Sequence, residues 1–195
     1  MRNRLLFCLI GLFIFYQVED ATASHWLGSD FSADVVETFP KEPIKDFHGK
    51  IYVSKTHLRK DFSHDGQPAV AILDLVNHKA LMIMPQEKMY FLMDQTELDN
   101  MFNHERGHVP KMLSDKPCTG RADLICNDLG REDVNGRDAE KWEVESLTGR
   151  TYQWFDIRLR IIIREEFPDH IYELRNIKEE PQPESLFRKP TEDRK

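Results

Sequence analysis

Arg131-Glu-Asp-Val-Asn-Gly-Arg-Asp-Ala-Glu-Lys-Trp-Glu-Val-Glu145 is the stretch from which the architecture follows. Asn-Gly supplies two residues that tolerate positive φ, which a two-residue hairpin turn requires. The runs on either side, Arg131 to Val134 and Arg137 to Glu145, therefore read as paired antiparallel strands. Downstream, Thr151–Ile157, Leu159–Glu166 and Ile171–Ile177 continue the pattern, with turns near Thr148-Gly149 and Pro168-Asp169. In Arg158-Leu-Arg-Ile-Ile-Ile-Arg164, Leu159, Ile161 and Ile163 face one side and the arginines face the other. That alternation describes a sheet with one dry and one wet face.

Upstream the same period holds. Phe31 to Phe39 reads as a first strand stopped by Pro40 and Pro43, and Phe47 to Phe62 alternates as far as the His64-Asp65-Gly66 turn. Val70–Val76, Ala80–Met84 and Met89–Met93 are short apolar runs divided by Asn77-His78 and Pro85-Gln86-Glu87, a meander of hairpins. Between Gln95 and His104 the spacing of Leu98, Met101 and Phe102 predicts a helix, with Thr96 as its cap. A Gly/Pro-rich stretch with two cysteines follows. About nine antiparallel strands with one or two helices make a mainly β (α+β) domain: a large curved antiparallel sheet, or incomplete barrel.

Composition narrows the function. Lys plus Arg number 27 against 34 Asp plus Glu, so the chain carries −7 and has no basic block with which to bind nucleic acid. Arg2 and Arg4 precede an apolar run from Leu5 to Tyr16, and Ala21-Thr22-Ala23 forms a small-x-small cleavage pattern. The run falls short of the roughly 20 residues a helix needs to cross a bilayer. Residues 1–23 thus read as a signal peptide cleaved after Ala23, 24–178 as one half-barrel domain, and 179–195 as a polar tail lying loosely on the surface. The product is expected to be periplasmic or secreted, with no transmembrane span. In an oxidising compartment Cys118 and Cys126, close in the chain, most simply form one structural disulfide.

His104-Glu105-Arg106-Gly107-His108 is a literal H-E-x-x-H. On a helix that spacing places two imidazoles one turn apart to bind zinc, with the glutamate as base. Gly107 lowers helix stability by about 1 kcal/mol relative to Ala, and Pro110 disfavours helical geometry at Val109. Arg106 and the lack of a following H-x-x-G-x-x-H also point away from a zincin. A polar helix end is the preferred reading, and a zinc metallopeptidase is a remote alternative. The other histidines, His170 among them, are scattered over turns and polar strand faces and read as surface. No G-x-S-x-G, phosphate-binding glycine loop or C-x-x-C-H occurs, so neither an enzyme nor a cofactor is expected.

Methionines carry more information. Met82, Met84, Met89 and Met93 fall on two strands joined by one turn, with Phe91 among them. Flexible thioethers suit a surface that adapts to varied apolar ligands. Trp142, Val144, Leu159, Ile161 and Ile163 are assigned to the same face. The alternative for each is ordinary core packing.

Several strings together resemble a known superfamily. Gly130 to Trp142, Tyr152-Gln-Trp-Phe-Asp156, Pro183-Glu-Ser-Leu-Phe187 with Pro190, and Gly49-Lys-Ile-Tyr-Val53 with Arg59 are similar to motifs of the periplasmic lipoprotein carriers of the LolA/LolB-like superfamily, in an exported branch. The resemblance implies an incomplete barrel wrapped around an apolar cavity, with a helical lid. It also implies a lipid, acyl chain or other hydrophobic ligand on the concave face, and possible engagement of an envelope protein. The chain departs from a carrier in having fewer lid helices and an added cysteine pair. An interaction or scaffold module without ligand is the second reading.

Overall fold

A computed structural model describes residues 28–43, 46–64, 66–77, 79–93, 97, 116–118, 122, 124–147 and 149–189. The segment read as a signal peptide, the helix predicted over 95–104 (save Glu97) and the H-E-x-x-H motif lie outside these residues.

The strands are β1 (Phe31–Thr38), β2 (Phe47–Val53), β3 (His57–His64), β4 (Gln67–Asp74), β5 (Lys79–Met84) and β6 (Met89–Met93), then β7 (Ile125–Val134), β8 (Arg137–Ser146), β9 (Gly149–Asp156), β10 (Ile161–Glu166) and β11 (Ile171–Glu179). Among the described residues they form one open antiparallel sheet in the order β6-β5-β4-β3-β2-β1-β11-β10-β9-β8-β7. Two meanders therefore meet at a seam between β1 and β11. A 3-10 turn, Glu184–Phe187, follows β11.

Turn chemistry accounts for the hairpins. Asn135 and Gly136 have φ of 55° and 81°, the pair of positive values the β7–β8 turn demands. The segment read as one strand from Phe47 to Phe62 is two, divided at 54–56. There Ser54 takes the part usually given to Gly or Asn: its Oγ accepts from the His57 amide at 3.0 Å. β7 starts at Ile125, six residues earlier than the sequence suggested, and its ladder with β8 is irregular between Asp128 and Arg131. Gly130, at φ 91°, sits in that irregularity.

The seam closes on buried side chains far apart in the chain. Phe31, Val35, Ile51, Val53, Leu58 and Leu174 are no more than 1% exposed, and burying each such side chain contributes about 1.5–3 kcal/mol. Gly28 leads into β1, and its amide donates to the Leu159 carbonyl at 3.1 Å. A Cβ at Gly28 would lie 1.7 Å from the Arg158 carbonyl oxygen, so only glycine fits there. Asp156, 2% exposed, holds that same turn. Its Oδ1 accepts from the amides of Arg158 and Leu159 at 2.9 Å each, and its Oδ2 accepts from Arg137 Nε.

The segment from Glu179 is not loose as far as Lys189. Glu179 is the last residue of β11. Phe187 packs with Val70, Ile72, Leu81, Ile83 and Tyr90 on one face of the β4–β6 hairpins. Arg59 donates to the Leu186 carbonyl at 2.9 Å, and the Lys189 ammonium sits 3.7 Å from the Tyr90 ring centroid.

Candidate ligand-binding face

Directly opposed residues in an antiparallel ladder project to the same side of the sheet, so the register tells which side chains share a face. Phe91 opposes Met82, Met82 opposes Ala71, Ala71 opposes Lys60, and Lys60 opposes Ile51. A parallel row runs Met93, Ala80, Leu73, Leu58, Val53 and Phe31, and Met84 opposes Met89. The four methionines and Phe91 thus lie on the face of Phe31, here called the inner face. Met82 packs against Ala69, Ala71, Phe62, Met84 and Met93. Toward the β6 edge the surface opens, with Met89 43% and Phe91 49% exposed.

Trp142 and Val144 reach the same face from the other meander. Trp142 opposes Gln153, Gln153 opposes Glu165, Glu165 opposes Tyr172, Tyr172 opposes Glu37, and Glu37 opposes Phe47. Phe47 and Phe62 both lie beneath the Lys60 ammonium, at 5.6 and 5.8 Å, which joins the two sets of rows. Cys126 opposes Val144, so the Cys118–Cys126 disulfide sits at the β7 end of this face. Lys116 reaches Glu140, two positions before Trp142, at 3.0 Å.

Leu159, Ile161 and Ile163, assigned to the lining from the sequence, are fully buried in the cluster that also holds Phe31. Leu159 lies in the turn before β10. Ile161 opposes Asp156, which opposes Ala139, one residue out of phase with Trp142. The β9–β10 register then shifts between Ile162 and Arg164, so alternation cannot be carried through Ile163. All three are at most 1% exposed and belong to the core with Phe31, Trp154 and Leu174.

Several polar residues that the sequence reading passed over occupy the inner face. Glu37, Lys60, Glu165 and Tyr172 are all under 10% exposed, and Glu165 accepts from Gln153 Nε2 at 2.6 Å. Burial pushes the Glu37 carboxyl up, against the opposing influence of His170 and Lys60. Burial, then the carboxyls of Glu165 and Glu37, push the Tyr172 hydroxyl far up. The Tyr172 hydroxyl and the Trp142 indole N–H are both buried and have no hydrogen-bond partner among the described residues. Each such donor costs about 1–3 kcal/mol when left unsatisfied. His170 is not on the surface: it is 5% exposed, stacked between Phe39 at 5.2 Å and Phe167 at 4.2 Å, with Glu37 Oε1 3.4 Å from its Nε2. Glu37 was findable in the sequence, because it shares parity with Phe31, Ala33 and Val35 in β1.

A separate groove of about 680 Å³ crosses β1–β3 between Asp34, Lys50, Asp61 and Arg175. It mixes acids with bases and shares Phe62 with the methionine surface. Among the described residues no helix is long and apolar enough to cross a membrane, and no cluster of three or more metal-ligating side chains occurs.

No protein-family model matches the sequence, and no curated protein matches it either. Solved structures do. An uncharacterized conserved protein from Thermus thermophilus superposes with a TM-score of 0.56 at 10% identity, over 85% of this chain and 88% of that one. PNGF-II gives 0.51 at 10% identity, over 84% of this chain and 31% of that one. The MucA/MucB complex of Pseudomonas aeruginosa gives 0.50 at 11% identity, over 84% of this chain and 56% of that one. The chain thus spans about a third of PNGF-II and just over half of the matched chain of the MucA/MucB complex. A LolA superfamily protein from Nitrosomonas europaea is also matched, at 9% identity and a TM-score of 0.40. These likenesses concern the fold alone, an open antiparallel sheet.

Proposed function

We propose that this chain is an exported, non-catalytic binding protein that holds a lipid, acyl chain or other hydrophobic molecule on the inner face of its half-barrel. The observation that carries this reading is the continuous apolar surface of the β4–β6 hairpins. It runs from buried Ala71 and Met82 to half-exposed Met89 and Phe91 on a single sheet. Burying one methylene contributes about 0.8 kcal/mol, so even part of an acyl chain laid along this row is held usefully. Thioethers adapt to chains of different length and branching. The reading is tested by displacement of a pyrene-labelled acyl probe from the full chain. Saturable binding that weakens at least tenfold in a Met82→Ala, Phe91→Ser double variant supports it. No binding, or binding unaffected by that variant, removes it.

A second reading, a docking module for an envelope protein, is favoured by the β6 edge, where Leu92 is 74% exposed on the face opposite Phe91. One structural match is itself a complex, that of MucA with MucB. Loss of a co-purifying partner on Leu92→Asp, with probe binding intact, supports this reading over the first.

A further inference from the structure

We propose that the outer face of β3–β6 is a docking groove for a short segment of another protein. The chain's own C-terminal segment, Glu184–Lys189, occupies it as a displaceable cover and defines what it accepts: an aromatic side chain followed two positions on by Lys or Arg. This face lies opposite the methionine surface, so its role is independent of the inner-face ligand.

The strand register builds the groove. Leu92 opposes Leu81, Leu81 opposes Ile72 and Ile72 opposes Arg59, while Tyr90 opposes Ile83, Ile83 opposes Val70 and Val70 opposes Asp61. Two neighbouring apolar rows therefore end on β3 in a charged pair, where Asp61 holds Arg59 by hydrogen bonds of 2.6 and 3.2 Å. β4 and β5 are thus apolar on both faces. Left bare, the outer one is a contiguous apolar patch of the kind that marks an interaction site. Phe187 fills its centre against Val70, Ile72, Leu81 and Ile83, and stacks on the His57 ring at 5.5 Å. Arg59 donates to the Leu186 carbonyl at 2.9 Å, and the Lys189 ammonium lies 3.7 Å from the Tyr90 ring centroid. The groove thus takes a ring, the carbonyl before it and a cation after it.

Three features make the cover displaceable. No residue of the 3-10 turn is itself buried, although the four aliphatic side chains beneath Phe187 are at most 9% exposed. The tether from β11, Glu180-Pro-Gln-Pro183, belongs to no strand, and its prolines have no amide with which to join one. Leu92, at the end of its row, is 74% exposed, so the cover leaves part of the groove open. A partner segment that repeats the ring and the cation, and adds an apolar residue over Leu92, makes a contact the chain's own segment does not. That contact offsets the advantage of the tethered competitor, whose local concentration is on the order of millimolar.

The test uses the full chain and a fluorescein-labelled peptide of its own residues 180–189, followed by anisotropy. A cover docked about nine-tenths of the time weakens a competitor about tenfold. Phe187→Ser in the protein is therefore expected to tighten peptide binding at least tenfold over the unmodified chain. A peptide carrying that same substitution is expected to bind neither protein. Lys189→Ser, which loosens the segment while leaving Phe187 in place, is expected to give a gain of about threefold and serves where Phe187→Ser does not fold. Peptide binding that is equal in the unmodified chain and the variants, or absent from all of them, makes the segment a fixed part of the fold and overturns the inference. Dimers of the unmodified chain that disappear in Phe187→Ser assign the groove to the tail of a second copy, and overturn the assignment to another protein. None of these outcomes alters probe displacement at the inner face.

Discussion

The two meanders share a sheet and a register but put their side chains to opposite uses. In β4–β6 the inner face is Ala, Leu and Met, and the other face is Val, Ile and Leu covered by Phe187. In β8–β11 the strands are laced with ions: Arg137 pairs with Asp156 and Glu179, Arg164 with Glu166 and Glu173, and Arg150 with Glu143. Apolar contacts without directionality can slide and repack; charge-assisted hydrogen bonds fix geometry. One half of the molecule is thus built to be adaptable and the other to be rigid, and the seam between β1 and β11 joins them into one sheet.

That contrast can be broken most severely at Asp156. Asp156→Ala removes the acceptor for two turn amides and leaves Arg137 half-buried beside one fewer carboxylate, with an expected loss of about 3–5 kcal/mol by urea denaturation. A loss below about 1 kcal/mol would mean that the ion-laced half is not the rigid one. Next in size is the disulfide. Replacing Cys118 and Cys126 by serine is expected to cost about 2–3 kcal/mol, read as a lower midpoint with little change in far-ultraviolet circular dichroism.

A smaller effect, and one of opposite sign, is expected at Glu37. Because burial raises its carboxyl in the folded chain, the native state binds its proton more tightly than the unfolded state does. Its contribution is favourable at low pH and is lost as pH rises through the folded-state value. Glu37→Gln should therefore raise the melting temperature at pH 7. The gain should vanish as pH falls below the ordinary glutamate range, and a variant that is less stable at pH 7 would contradict the assignment. Smallest of all, Phe91→Ser alone should change stability by no more than about 0.5 kcal/mol, since the side chain is half-exposed. Its effect belongs in probe displacement.

Much of this fold is legible in the residues, and the reasons are local. Asn135-Gly136 specifies its hairpin, and period-two alternation places most strands. Where reading fails, a local signal was replaced by a subtler one. Ser54 makes a turn without Gly, Pro or Asn, so β2 and β3 merge in the sequence. Gly130 looks like a strand end but sits inside β7. The ligand face divides in the same way. Met82 to Met93 share a face because both strands belong to one hairpin, which the sequence displays. The register shift after Ile162 cannot be seen in a string of isoleucines, nor can the full burial of Leu159, Ile161 and Ile163 in the cluster with Phe31. The polar row is the least legible. Glu37 and Tyr172 meet across the seam from opposite ends of the domain, and only the pairing of those distant strands puts them beside Glu165 and Trp142.

The most direct test of the ligand surface is native mass spectrometry of the full chain, expressed with its N-terminal segment, recovered from the exported fraction and handled without detergent. The account predicts an added mass equal to a lipid or other acyl-bearing molecule, reduced or absent in the Met82→Ala, Phe91→Ser double variant. A bare polypeptide that also fails to take up the pyrene-labelled acyl probe at saturating concentration would contradict it and favour the docking-module reading.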